Sequence, residues 1–553
     1  MEDDDKNNWD GLQIFRVSTD DGDRKATLFR FQSNDLVIDN DDFVDQIPRT
    51  KKRLQDLIGT VISPPEYNKI IARCKSAVMD DSVVGVTRPG FERAEDGSPR
   101  YFALPNGLVV TRHNLPLRLI PMFEKNSAAS HKGNLDTYVR ELGPLIKDQP
   151  IAMVIFFFAL TPILQPLIRG GPMNVENVMI ELVGATSTYK STLTNQLAGS
   201  VWGGSETKLG YASSWNATPN AVEQMCRNYN NCLLVLDEAT AAGATSKSRA
   251  DNILNTSHRI SLGRSKARLG GEDPVPYDLM ALSNSNQPLT DILASSGTVS
   301  GALEVRLLTF DCAHPKHGYL RPIKGVGGVE VHIGPQLRDL CTTHYGHVAP
   351  SFIYFVLAEC ARDAQGFRQK VAFYMQRFLT HFRITARDER ALRQAKPFAL
   401  TYACAKLAND FLITDHTWGK TGSAILKAYR GFINQRQPLN RYEEIRHFLY
   451  DRTKTIVDCR VNPKAKMTLA EFEAVDGFVV EVKGQQVLAI SPTALERNFS
   501  DVAGLKRYLA SSNRLIKTEG YLFKKGVRLG ADGTVIKDRF YMVKVRKWPK
   551  RFR

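Results

Sequence analysis

The sequence predicts a multidomain α/β protein with a parallel sheet at its centre, on three observations. Apolar strand-like runs at 178–184, 231–238 and 277–286 are each followed by a glycine-rich or polar loop and a helical pattern. That alternation is how a parallel sheet with crossover helices reads. At 553 residues the chain is too long for one ordinary domain. Its 43% hydrophobic and 24% charged residues suit a protein with a full core.

Four pieces are expected. Residues 1–140 begin acidic and alternate short strand-like runs with turns, a mixed α+β domain without a catalytic pattern; Pro105-Asn106-Gly107 predicts a hairpin turn there. Residues 141–345 form the α/β core, 346–455 read as a helical lid, and 465–553 return to short strands around a helix at 505–515. The run Ile151 to Ile168 is apolar enough to suggest a membrane span, but Pro162, Gln165 and Pro166 interrupt it. The expectation is a helix buried against the central sheet, with no membrane partner.

The net charge of +16 points to a polyanionic partner, nucleic acid first. Eight scattered cysteines without a Cys-x-x-Cys pair, and an acidic start rather than a signal sequence, suit a reducing cytoplasm.

The chemistry begins at Gly184. A strand ends there, Ala185, Thr186, Ser187, Thr188 and Tyr189 form a loop, and Lys190, Ser191 and Thr192 open a helix. This is the phosphate-binding Walker A pattern with Tyr189 in place of its second glycine. Loop N–H groups and a helix N-terminus favour a phosphate, Lys190 adds a charge on the β/γ-phosphates, and the Ser191 hydroxyl suits Mg²⁺. The apolar run 232–236 ends in Asp237 and Glu238, the Walker B arrangement: Asp237 for Mg²⁺ through water, Glu238 to orient and deprotonate the attacking water. A further strand ends in Asn284, where AAA+ ATPases carry their first sensor. Asp237 lies 47 residues beyond Lys190, and Asn284 another 47 beyond Asp237, room for a helix and crossover each time. Arg306 follows 22 residues later, where an arginine finger would reach a neighbouring subunit's γ-phosphate.

The runs GATSTYKST, SSWNATPNAVE, LLVLDE, SLGRSKARLGG and LEVRLLTFD resemble a family of phage and mobile-element ATPases labelled domain of unknown function 927. That family is similar to the minichromosome-maintenance-like self-loading helicases of staphylococcal cassette elements, and more distantly to superfamily 3 helicases. The resemblance covers about 170–450 and departs at Tyr189. It implies an AAA+ P-loop core and a hexameric, ATP-dependent DNA helicase serving replication of a phage or mobile element. It also implies a second sensor near 384–394, where Arg387 and Arg393 both qualify, and a pore-lining hairpin before Asn284.

That hairpin would present Arg259, Arg264, Lys266 and Arg268 to single-stranded DNA. Trp215 reads either as a base-stacking residue or as core. From Asp501 onward fifteen Lys or Arg face four Asp or Glu, a net +11. A helix followed by a β-hairpin predicts a winged-helix-like domain there, with Lys524, Lys525, Arg528, Lys544, Arg546 and Lys547 on phosphates of duplex DNA. Cys312, His314 and His317, with Cys341, His344 and His347, are zinc-type ligands at irregular spacing, and a structural role is expected for them. Two other readings stay open: a replication initiator or regulator in which ATP only switches assembly, and a packaging or defence ATPase.

Overall fold

The computed structural model describes residues 9, 11–22, 25–93, 98–112, 115–204, 210–266, 274–295, 306–312, 317–324, 328–436, 441–451, 453–460, 468–482, 484–499, 502–511, 514–516, 523–528, 535–545 and 548–552. The chain forms two compact units, Met1–Phe432 and Ile433–Arg553.

The first unit opens with a mixed sheet. Strands β1 (Gln13–Thr19), β2 (Lys25–Phe31), β3 (Asn34–Asp39), β4 (Met79–Val86) and β8 (Arg118–Pro121) lie in the order β3-β2-β1-β4-β8. Helices Ile47–Ile58 and Pro64–Lys75 supply Leu54, Ile58, Tyr67 and Ile70 to a core with Phe29 and Ile38. The second helix starts at a reciprocal cap, Ser63 with Glu66, which satisfies two otherwise orphaned donors. Strands β5 (Gly90–Arg93), β6 (Pro99–Ala103) and β7 (Val109–Thr111) form a separate antiparallel sheet. The hairpin expected at Pro105-Asn106-Gly107 joins β6 to β7, with Gly107 at φ +86° as such a turn requires.

The second layer is the parallel sheet: β9 (Met179–Val183), β10 (Ser213–Ser214), β11 (Leu233–Asp237), β12 (Met280–Ser285) and β13 (Leu307–Asp311). Their spatial order is β10-β11-β12-β9-β13, so β12 separates the strand feeding the Gly184 loop from the strand ending in Asp237. Every residue of β9 and β12 is buried, the polar Glu181, Ser283, Asn284 and Ser285 among them, as strands covered on both faces are.

The apolar run packs chiefly against helices, Glu389–Asp410 and the turn Thr192–Ala198, where burial on the sheet was expected. Residues 152–168 are buried throughout, as helix Pro150–Phe158 and a second segment Thr161–Ile168 bent by 42° from it. Trp418 packs on Phe156 at 4.9 Å, and its indole N–H donates to Val139 O. Among the described residues no single helix is long and apolar enough to cross a membrane, although that bent pair passes by length and composition. A short antiparallel pair, β14 (Ile323–Lys324) with β15 (Glu330–Val331), precedes further helices at Ile333–Thr343, Val348–His381 and Glu389–Asp410.

The second unit is a sheet with two apolar faces. Strands β16 (Ile456–Asp458), β17 (Gly477–Val482), β18 (Gln485–Ile490), β19 (Phe523–Arg528) and β20 (Val535–Lys544) lie in the order β16-β17-β18-β20-β19. One face packs Val479, Leu488 and Val543 against Leu449, Leu495, Leu505 and Leu509 of its helices. The other gathers Phe472, Phe478, Val480, Phe540 and Met542. The helix at Val502–Ser511 does precede an antiparallel pair, β19 with β20. That pair is built into the five-stranded sheet by the β18–β20 ladder rather than projecting alone. Alternating apolar residues on both parities of β17 and β18 supply the second face that a projecting wing would not need.

Candidate nucleotide site

The residues predicted to bind nucleotide converge at the C-terminal ends of β9, β11 and β12, where open parallel sheets place their ligands. Gly184 follows β9, the loop 185–189 turns outward, and Lys190 begins the next helix, which is π-helical over Thr192–Ala198. π-Helical turns are rare and occur mostly at functional sites. The loop is held from below. Gly184 N–H donates to Ser285 O, and Cys312 N–H to Val183 O. The Tyr319 hydroxyl accepts from Val183 N–H at 2.9 Å and lies 2.6 Å from Val183 O and 2.5 Å from Phe310 O. Tyr319 N–H donates to Thr188 O. Gly318 approaches Thr188 so closely that a Cβ there would lie 2.5 Å from its carbonyl oxygen.

Ser187 and Tyr189 both adopt left-handed backbone, at φ +65° and +66°. The glycine of the usual pattern therefore had a conformational reason, and the loop keeps that conformation with a tyrosine. The ring is housed against Gly334, where a Cβ would fall 2.1 Å from Tyr189 Cε1. A large residue at one position of the loop has a bare backbone opposite it.

Lys190 is buried. Its Nζ donates to Gly184 O at 2.6 Å, Ala185 O at 2.8 Å and Asn286 Oδ1 at 3.0 Å. Burial pulls the ammonium below its ordinary range, opposed by the charge of Glu238 and then by Cys312. Ser191 is exposed at the helix start and Thr192 is buried.

Asn284 ties the parts together. Its Nδ2 donates to Asp237 Oδ1 at 2.7 Å and to Thr194 Oγ1 at 2.8 Å, while its Oδ1 accepts from Glu238 N–H at 3.2 Å. One amide thus joins the acidic strand end to the helix behind the loop. Glu238 has φ +57°, a strained conformation for a non-glycine residue, and its carboxylate accepts from the Thr240 hydroxyl. Asp237 and Ser191 offer the hard oxygen donors that Mg²⁺ takes, with one Asp237 oxygen already engaged by Asn284.

Arg306 lies elsewhere. Its carbonyl accepts from Met179 N–H, at the opposite end of β9 from Gly184. Five strand residues separate the two ends, about 16 Å at ~3.3 Å per residue, so Arg306 cannot reach its own loop. It pairs with Glu176 at 3.3 Å. Arg393 shares a cleft with Arg306 and pairs with Glu389 at 2.6 Å. Arg387 is exposed in the turn before that helix and does not line the cleft.

One candidate DNA contact is corrected, and the open reading of Trp215 is decided. Arg259 is buried in helix Ser246–Leu262 and pairs with Glu223 at 2.7 Å, so it is a core ion pair rather than a hairpin cation. Trp215 is 3% exposed and donates to Ser283 Oγ, which makes it core. The hairpin stem is present. Tyr277 N–H donates to Gly263 O, Ser265 N–H to Val275 O, and Arg264 bridges Pro276 in antiparallel fashion. Arg264 and Lys266 are exposed, while Arg268 lies outside the described residues. Lys524, Lys525 and Arg528 sit on edge strand β19, their side chains outside the described residues, as are Arg546 and Lys547. Lys544 ends β20, half-buried. His344 Nδ1 accepts from Asn134 N–H and His347 Nε2 meets Lys132 O, and Cys341 is buried. His314 lies outside the described residues.

Sequence reasoning missed Thr240, Gly318, Tyr319 and Gly334. They lie outside the motifs, and only the folded loop shows what they support.

Residues 67–269 match a family described as Domain of unknown function (DUF927). No curated protein matches the chain. A solved structure described as SCCmec type IV Cch, active helicase, gives a TM-score of 0.56 at 14% identity, over 97% of this chain and 93% of that one. In fold, the chain is similar to a helicase. The alignment with the apo C-terminal region of NrS-1 covers 86% of this chain and 96% of that one at 12% identity, with a TM-score of 0.28.

Proposed function

We propose that the chain is one subunit of a ring-forming, ATP-dependent DNA helicase with an AAA+ core, acting in replication of a phage or mobile element. The observation that carries this reading is the Asn284 bridge: one side chain links the Asp237–Glu238 strand end to the helix that Lys190 begins. Order β10-β11-β12-β9-β13 supports it, because β12 inserted beside the loop strand places Asn284 between loop and acids. Fold similarity to a protein described as an active helicase agrees.

In this mechanism the loop N–H groups and Lys190 hold the β- and γ-phosphates of ATP. Mg²⁺, held by Ser191 and through water by Asp237, would neutralise charge on the phosphates. Glu238 orients the attacking water and accepts its proton, with Thr240 fixing the carboxylate. Arg306 and Arg393 lie too far from their own loop, so they would serve the nucleotide of a neighbouring copy. A hexamer is the proposed ring. Exposed Arg264 and Lys266, with Arg268, would contact single-stranded DNA in its pore, and the basic second unit would hold duplex through its Lys and Arg residues.

Substituting Glu238→Gln should lower ATP turnover by about 10²-fold or more while ATP binding persists. Normal turnover in that variant sinks the proposal. Tyr189, held at positive φ in the phosphate loop, favours a second reading in which nucleotide only switches assembly of a DNA-binding initiator. A strand-displacement assay separates the two, since a switch would unwind nothing.

A further inference from the structure

A cleft of about 320 Å³ opens at the N-terminal end of β9 and β13, the end remote from the phosphate loop. Glu176, Arg306, Glu389, Arg393 and Lys396 line it. Three cations therefore face two carboxylates. The carboxylates are spoken for: Glu176 lies 3.3 Å from Arg306, and Glu389 lies 2.6 Å from Arg393. Lys396 stands one helical turn from Arg393, half-buried, with no carboxylate at ion-pair distance among the described residues. Burial draws its ammonium below the ordinary lysine range, Glu176 opposes that shift and Arg393 adds to it. With three cations and two carboxylates the lining keeps one positive charge that an entering anion would neutralise.

We infer that this cleft is a binding site for the terminal phosphate of a nucleotide carried by a neighbouring copy, with Lys396 as its third cation and Glu176 as a built-in competitor. The inference rests on the ring reading above and extends it, because neither residue belongs to a motif of the nucleotide site. Competition follows from exposure. The side chains are 29% exposed at Arg306 and 49% at Glu176, and solvated pairs of that kind are weak. A γ-phosphate carries more charge than a carboxylate and more oxygens to share among three cations, so it displaces Glu176 when a neighbour presents it. Before assembly, Glu176 keeps Arg306 from other anions, including DNA phosphates.

The test uses the full-length protein and measures ATPase kinetics against protein concentration. Lys396→Ala should lower kcat at least tenfold while the Kd for ATP of dilute protein stays within twofold. Lys396→Arg should recover much of the loss. Glu176→Gln should raise turnover several-fold at protein concentrations that limit assembly. Mixing inactive Lys190→Ala subunits with Lys396→Ala subunits should restore activity, because some interfaces then pair an intact loop with an intact cleft. Absence of that recovery, or kcat of Lys396→Ala within twofold of the parent while Arg306→Ala is inactive, overturns the inference alone. Full activity in Arg306→Ala overturns the ring reading itself.

Discussion

Local rules give way at Tyr189 and at Glu181, each for its own reason. Tyr189 holds a φ of +66°, a conformation costing roughly 1–2 kcal/mol for a residue with a Cβ, and its ring lies against the bare backbone at Gly334. Glu181 is a carboxyl in the middle of β9, fully buried, accepting from Leu289 N–H and the Thr309 hydroxyl. Burial pushes it up to about 8, against the lowering effect of those hydrogen bonds. The folded state therefore keeps a proton that the unfolded chain releases near its ordinary value. Stability from this group is fully present below that ordinary value and declines as pH rises, by at most about 1.4 kcal/mol per unit, levelling off above about 8. Glu181→Gln should remove that slope. Melting temperatures at pH 6 and pH 8 should differ less in the variant than in the parent, and equal differences would show that Glu181 is ionised throughout.

At the scale of elements, the loop from Gly184 to Tyr189 depends on neighbours distant in sequence. Helix Ile333–Thr343 presents Gly334 to Tyr189, and the segment around Gly318 and Tyr319 braces Thr188 and Val183. Gly334→Ala should push the Tyr189 ring out of its seat, costing about 1–3 kcal/mol of stability as overpacking does. The same change should raise KM for ATP more than it lowers kcat, because it disturbs the loop and leaves Asp237 and Glu238 in place. Urea denaturation and steady-state ATPase together check this; unchanged values in both would mean the ring has another place to go. The stem formed by residues 263–266 and 274–277 is a second element of this kind, a short antiparallel pairing on which Arg264 and Lys266 are exposed.

Over the whole molecule, charge and architecture are divided between the two units. The chain carries +16, and its last 53 residues alone carry +11. Replacing Lys524, Lys525 and Arg528 together by Ala should weaken duplex DNA binding nearly uniformly across sequences. It should also reduce the slope of log K against log salt by about 2–3, the release of roughly one counterion per phosphate contact. Fluorescence anisotropy at several salt concentrations measures it, and an unchanged slope would place the DNA contacts elsewhere.

The sequence alone determined the loop after β9, the acidic strand end and the parallel character of the sheet, because each is written in contiguous residues: Gly184 to Thr192, Asp237 with Glu238, and largely apolar runs each followed by a loop and a helix. It also determined the strongly basic balance of the chain, since net charge needs no fold. Tertiary structure decided what depends on residues far apart in the chain. It made Arg259 an ion pair with Glu223 and Trp215 a core residue, because solvent exposure is a property of the packed molecule. It drew β20 into the middle of a five-stranded sheet, because both parities of β17 and β18 had apolar surface to bury. And it set Arg306 and Arg393 in one cleft about 16 Å from their own loop, a distance fixed by the length of β9 and by the end of the strand at which each element joins.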